Sequence, residues 1–197
     1  MRRSLTAFLA VVGLLAFVTM PPLSSANGTE IGSTVESFSL PDTDGKVQSL
    51  DGLKGKNGTV IVWLSAQCPV VKAYKDRINE IASAYKSKGI AFIGINSNAT
   101  EDLTWVKSNI TEFGYQFPVL IDKGNVLADK LGATVTPEVY FLDNKNVLKY
   151  HGAIDNDRSG KNVQEQFLKT AFDSALSGKA IEKTKTAAFG CSIKKAA

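Results

Sequence analysis

Cysteine is scarce in this chain. Its 197 residues hold two, Cys68 and Cys191. Two cysteines cannot build a disulfide-rich scaffold, so the fold must stand on an apolar core. Histidine is scarcer still: His151 stands alone, and no His/Cys spacing of the metal-binding kind occurs. No cofactor is expected, and no set of metal-ligating site residues. No internal repeat and no basic stripe interleaved with aromatics appears, so the sequence pI of about 9.0 does not point to nucleic acid. Long hydrophobic runs are missing but for one, Leu5 to Val18, which is too short for a comfortable membrane span.

That run has a function of its own. Met1-Arg2-Arg3 precedes it, and Ser24-Ser25-Ala26 follows Pro21-Pro22. A basic start, an apolar middle and a small-residue end predict a signal peptide over 1–27, cleaved after Ala26. Loss of Arg2 and Arg3, with no acid, lowers the formal charge from +4 to +2. The expected location is exported, periplasmic or secreted, with membrane contact only if the segment stays uncleaved. In such a compartment the two cysteines can persist bridged or free.

What is present is a chain organised around Thr59-Val60-Ile61-Val62-Trp63-Leu64-Ser65-Ala66-Gln67-Cys68-Pro69-Val70-Val71. The continuous β-branched run predicts a strand buried on both faces. Pro69 suits a first helical turn, and Val70/Val71, Tyr74, Ile78, Ile81 and Tyr85 recur on one helical face to about Lys86. Cys68 therefore falls at a strand-to-helix junction, where backbone N–H groups and the helix dipole favour thiolate over thiol.

Around this centre the pattern is regular. Val35–Leu40 and Val47–Leu50 alternate about Asp44-Gly45, a hairpin signal within an exposed lead-in over 28–58. Ile90–Asn96 is a second buried strand. Asn98-Ala99-Thr100-Glu101 resembles a capping box before a helix marked by Leu103, Val106, Ile110 and Phe113. A short strand over 117–122 and a short helix from Asn125 to Leu131 follow. Val135–Asp143 reads as a third apolar strand with Pro137 near its start, and Val147–Ile154 pairs back on it. The last helix is expected over Asn162–Ser177, and 179–197 is a basic, solvated tail that carries Cys191. The order is hairpin, then β-α-β-α-β-α-β-β-α, an α/β architecture.

This order, with Cys68 after the first core strand and Thr136-Pro137 opening a later one, resembles the thioredoxin superfamily over 28–178, and within it the redoxin branch of peroxiredoxin-like and exported thioredoxin-like proteins. The resemblance implies a three-layer fold, a mixed central sheet with helices on both faces and an N-terminal β-hairpin. It also implies a cis Thr136–Pro137 bond lying against Cys68. Two departures bear on chemistry. Val71 occupies the second cysteine position of Cys-X-X-Cys, so the intrahelical dithiol is absent. Ser65 fits the Thr/Ser of the peroxiredoxin motif three residues before its cysteine, but Ile61 stands where that motif has proline. Ala188–Lys194 resembles a Gly-Cys-X-Ile-Lys ending of some exported redoxin-like proteins.

The implied activity is that of a thiol oxidoreductase or antioxidant protein with one nucleophilic cysteine, acting on peroxides or disulfides and reduced by a thiol protein or small thiol. Cys68 is its candidate nucleophile and Cys191 the internal candidate for resolution. Pro137 is expected to hold substrate, Ser65 to bond the sulfur or the peroxide, and Arg158 to offset the thiolate charge. Glu138 follows Pro137 and is a weak candidate for proton transfer; His151 and Trp63 read as structural. The alternative is a non-catalytic thioredoxin fold that binds a partner or a metal.

Overall fold

A computed structural model describes residues 29–196. The expected signal segment, 1–27, lies outside the described residues. Among those described, no helix is long and apolar enough to cross a membrane.

The elements follow in chain order as β1 (Ser39–Pro41), β2 (Val47–Ser49), α1 (Leu50–Leu53), β3 (Gly58–Leu64), α2 (Pro69–Lys86) and β4 (Ile90–Asn96). After them come α3 (Leu103–Phe113), β5 (Val119–Ile121), a 3-10 turn at Lys123–Asn125 and α4 (Val126–Leu131). The chain ends through β6 (Val135–Thr136), β7 (Glu138–Leu142), β8 (Leu148–Gly152), α5 (Phe167–Leu176) and β9 (Cys191–Ser192). The central sheet has the order β5-β4-β3-β7-β8. Strands β3, β4 and β5 are parallel, β7 runs antiparallel to β3, and β8 runs antiparallel to β7.

Every residue of β3 is buried, as its continuous apolar run predicts. Its side chains alternate between two apolar clusters. Val60, Val62 and Leu64 pack with α2 and α5 through Tyr74, Ile78 and Phe172. Ile61 and Trp63 pack on the other face with Leu127 and Leu131 of α4. The three-layer arrangement with a mixed sheet and an N-terminal hairpin is therefore the observed fold. Asp42 makes the hairpin turn by accepting from the backbone N–H groups of Asp44 and Lys46 at 2.9 and 3.0 Å.

Several expectations need correction. The lead-in is anchored rather than exposed throughout: Val35 and Leu50 are core residues of the α4 face. The strand expected over Val135–Asp143 is broken at Pro137 into β6 and β7, which belong to different sheets. The last helix begins at Phe167, not Asn162. Asn156 Oδ1 captures the N–H groups of Gln164 and Glu165 at 2.9 and 3.0 Å, and Asp157 Oδ2 takes that of Asn162 at 2.6 Å. Local side-chain capture of this kind competes with helix formation.

The largest difference is the tail. It does not stand in solvent but folds back along the body. His151 N–H donates to Thr184 O and Thr186 N–H to His151 O along β8, Cys191–Ser192 forms β9 against β6, and Ile193 is only 5% exposed in the α4-side core. Its lysines face outward, and the tail is held by backbone. Ile193 N–H donates to Thr134 O at 2.9 Å, and Lys194 N–H to Asn98 Oδ1 at 3.0 Å.

Candidate active site

Cys68 is the N-cap of α2, with extended backbone and Pro69 in the first turn. Its sulfur donates to Thr136 O at 3.2 Å across the cis Thr136–Pro137 bond. Thr136 in turn pairs with Cys191 in the β6–β9 ladder, and Thr136 Oγ1 donates to Cys191 O at 3.4 Å. The chain thus brings together three of the sequence-predicted residues, Cys68, Pro137 and Cys191, from points far apart in sequence. Both cysteines are free thiols in this structure.

The two thiols are near enough to shift one another's acidity, in opposite directions. Burial pushes the Cys68 thiol up. The Cys191 S–H, the Val71 N–H, the Thr136 hydroxyl and the Cys191 N–H together outweigh burial, and the net position is below the ordinary thiol range. Cys191 is pushed up to about 11, first by burial, then by its bond to Cys68 and the charge there; the Val70 N–H and Lys194 offset this only in part. Cys68 is the sulfur that ionises first, and Cys191 keeps its proton and donates it. Cys68 is only 2% exposed, however, in a cluster against which Phe189 and Cys191 also pack.

Ser65 is not on the sulfur. Its hydroxyl donates to Glu101 Oε1 at 2.5 Å. The same carboxylate accepts from Ala66 N–H at 2.8 Å, Gln67 N–H at 3.0 Å and Asn96 Nδ2 at 2.6 Å. Glu101 therefore clamps the loop that delivers Cys68. It is not part of a capping box, since α3 takes Asp102 as its N-cap, whose side chain accepts from Trp105 N–H. Sequence reading missed this role. An acid just ahead of a helix start is the only local signal, and a cap explains it equally well.

Arg158 is not on the sulfur either. Its guanidinium lies 5.5 Å from the Phe189 ring. Arg77 is the other arginine beyond residue 27. It bonds Asp155 Oδ2 at 2.6 Å and Asp157 O at 2.9 Å, and stacks 3.5 Å over Tyr74. Both arginines are used to hold the loop over 155–158 and the strap beside it.

A second missed pair lies directly behind Pro137. Glu138 and His151 are joined at 2.5 Å between Oε1 and Nε2, with the imidazole stacked on Tyr140 at 4.1 Å. His151 is structural in placement, as its position on a returning strand predicts, but its partner is Glu138. Trp63 is fully buried in the core. Among the described residues no group of three or more His, Cys, Asp or Glu side chains is placed to hold a metal ion.

The redoxin family model matches residues 30–166. The chain belongs to the redoxin family. Among solved structures this redoxin is similar to a hypothetical protein from Sinorhizobium meliloti 1021, 32% identical with a TM-score of 0.80, over 87% of this chain and 97% of that one. It is similar also to an uncharacterized conserved protein from Geobacillus kaustophilus, 30% identical with a TM-score of 0.79, over 85% and 93% of the two chains. Among curated proteins it is 30% identical to the thiol-disulfide oxidoreductase ResA of Bacillus thuringiensis (strain Al Hakam). That match covers 58% of this redoxin and 64% of the relative's own length.

Proposed function

We propose that this redoxin is an exported thiol-disulfide oxidoreductase whose working couple is Cys68 with Cys191. The observation that carries the reading is the β6–β9 pairing, which sets Cys191 opposite Thr136 while Thr136 O holds Cys68. A couple missing from Cys-X-X-Cys at Val71 is supplied by the tail. The similarity to ResA supports disulfide exchange, and the start of the chain, residues 1–27, supports export.

The geometry supports the following sequence. The Cys68 thiolate attacks one sulfur of a substrate disulfide, forming a mixed disulfide and expelling the other sulfur as thiolate, which takes a proton from water. Cys191 then gives up its proton and attacks Cys68 Sγ. The Cys68–Cys191 disulfide forms, and the second substrate thiol leaves. Two electrons pass from the cysteine pair to the substrate. A thiol protein or small thiol returns them by the reverse exchange. Pro137 lines the approach to Cys68, and the strap Phe189–Cys191 must lift for a protein disulfide to reach the sulfur.

The burial of Cys68 favours a second oxidant. Hydrogen peroxide is far smaller than a protein disulfide and needs a smaller opening to reach the sulfur. Attack on O–O gives a sulfenic acid at Cys68 and one water, and Cys191 displaces the second water to give the same disulfide.

One experiment tests both routes. The reduced protein is treated with one equivalent of glutathione disulfide or of peroxide, quenched in acid, alkylated and weighed. Loss of both free thiols, with a Cys68–Cys191 cross-linked peptide, is expected. Cys191→Ser should stop at a glutathione adduct on Cys68, and Cys68→Ser should remain unmodified. Wild-type protein that keeps two free thiols under both oxidants would leave the non-catalytic binding role in its place.

A further inference from the structure

Glu138 does more than satisfy its neighbour. It is 4% exposed, and each of its two oxygens holds a different part of the protein. Oε2 accepts from the backbone N–H groups of Thr134 at 2.9 Å and Val135 at 3.3 Å. Oε1 bonds His151 Nε2 on β8. The tail is attached at those same two places. On one side, Ile193 N–H donates to Thr134 O, and Val135 and Thr136 pair with Ser192 and Cys191. On the other, His151 N–H donates to Thr184 O at 3.0 Å, and Thr186 N–H to His151 O at 3.1 Å.

The span over 187–190, which ends at Cys191, therefore hangs between two anchors. A single buried carboxylate bonds both. The loop it holds also carries the Thr136 carbonyl that accepts from Cys68. We propose that Glu138, seated by His151, is the positioning residue that sets Cys191 in register on Cys68. It touches neither sulfur in the contacts described above and acts through the Thr134–Pro137 loop and the β8 edge. A charge-assisted bond to each anchor suits this task, because such bonds are stronger and more directional than neutral ones. The buried position keeps them from being shared with water.

The inference rests on the proposed Cys68–Cys191 couple for its chemical readout, but its structural readout does not. In Glu138→Ala, amide hydrogen exchange should speed up together at Thr186 and Ile193, the two tail attachments, while β3 and β4 stay protected. Disulfide closure after one equivalent of oxidant should slow by about tenfold, roughly the worth of one charge-assisted hydrogen bond. Glu138→Gln should recover most of both, because one carboxamide oxygen still meets the loop and its NH₂ still meets the imidazole. If Glu138→Ala fails to fold, His151→Ala removes the β8 half of the device and should show the same joint change. Exchange that rises only at Thr134 and Val135, or closure at the wild-type rate in the alanine variant, would overturn the positioning role. Wild-type protein that never forms the disulfide would overturn the functional reading, and the exchange data would still decide the role of Glu138.

Discussion

Gly190 is the residue whose replacement most directly separates the two sulfurs without altering either. A Cβ built at this position would lie 1.9 Å from the Thr136 carbonyl oxygen and 2.6 Å from the Thr136 carbonyl carbon. Real Cβ contacts essentially never fall under 3.0 Å, so the overlap exceeds an ångström. The obstacle is backbone, and Thr136 leads directly into β7 of the central sheet, whose residues are all buried. The tail must yield instead. In Gly190→Ala it moves off β6, and Cys191 moves with it. Misplacement of a reacting group by about 1 Å can cost on the order of 10²-fold in rate. Closure of the Cys68–Cys191 disulfide should slow on that scale. Folding stability should fall by no more than about 2 kcal/mol, since a few peripheral backbone hydrogen bonds at roughly 0.5–1.5 kcal/mol each are at stake. The assay is rapid mixing of reduced protein with diamide, acid quench, alkylation and mass. A second readout has the opposite sign. At a pH high enough to ionise Cys68 fully in both proteins, a small alkylating reagent should reach Cys68 faster in Gly190→Ala, because its cover is loosened. Closure at the wild-type rate would refute the claim that the β6–β9 register delivers Cys191.

Three further outcomes follow from the same geometry. Cys191→Ala removes the S–H donor that helps hold Cys68 below the ordinary thiol range. That donor stabilises only the anion, so its loss must move thiolate formation to higher pH. The thiolate fraction at neutral pH should drop several-fold, up to about tenfold, in absorbance at 240 nm; an unchanged titration would contradict the assignment of donor and acceptor. Glu101→Gln leaves a single oxygen where a carboxylate served Ser65, Ala66, Gln67 and Asn96. Denaturant unfolding should show a loss of about 2–3 kcal/mol, and a loss under 0.5 kcal/mol would show that the clamp is not needed. Arg158→Ala should lower the rate of Cys68 alkylation by no more than about fivefold, because its guanidinium lies over Phe189 rather than against the sulfur. A far larger fall would return Arg158 to the role of thiolate partner.

The core strands and α2 are legible in the sequence because their signals are local. Thr59–Leu64 and Ile90–Ile95 are short continuous apolar runs, and the apolar positions of α2 recur at helical spacing, so burial follows from neighbours in the chain. Cys68 is legible for the same reason: strand, proline and helix meet at it. Glu101 and Glu138 are not, since their partners are set by folding. Glu101 reaches the Ser65–Gln67 loop from the connection after β4, once β3 and β4 have paired, and Glu138 meets His151 only once β7 and β8 have paired. A carboxylate that will be buried and fully bonded has the same letter as one that will be solvated. Ser65 illustrates the converse error. Its spacing from Cys68 suits a sulfur contact, yet Glu101 takes its hydroxyl.

The tail fails to announce itself for a different physical reason. Its two-residue strand has no room for a period-2 pattern, and Ile193 is the one large side chain after Cys191 that it buries. What holds it is backbone: the bonds of Thr186 to β8, of Ile193 to Thr134, and of Lys194 O to Ala99 N–H at 2.9 Å. Backbone groups carry no sequence signature, so a segment docked through them reads as a solvated run of lysine and alanine. That mode of attachment also suits the chemistry proposed for it. A strap held by side chains in a core opens only at the cost of exposing apolar surface. This strap exposes little apolar surface beyond Phe189 and Cys191 when it lifts, and its backbone pairs exchange their bonds for bonds to water at a small net cost per pair. Cys68 can thus be covered at rest and uncovered for a substrate disulfide, while Ile193 and the Asn98 contact keep the far end in place so that Cys191 returns to the same register.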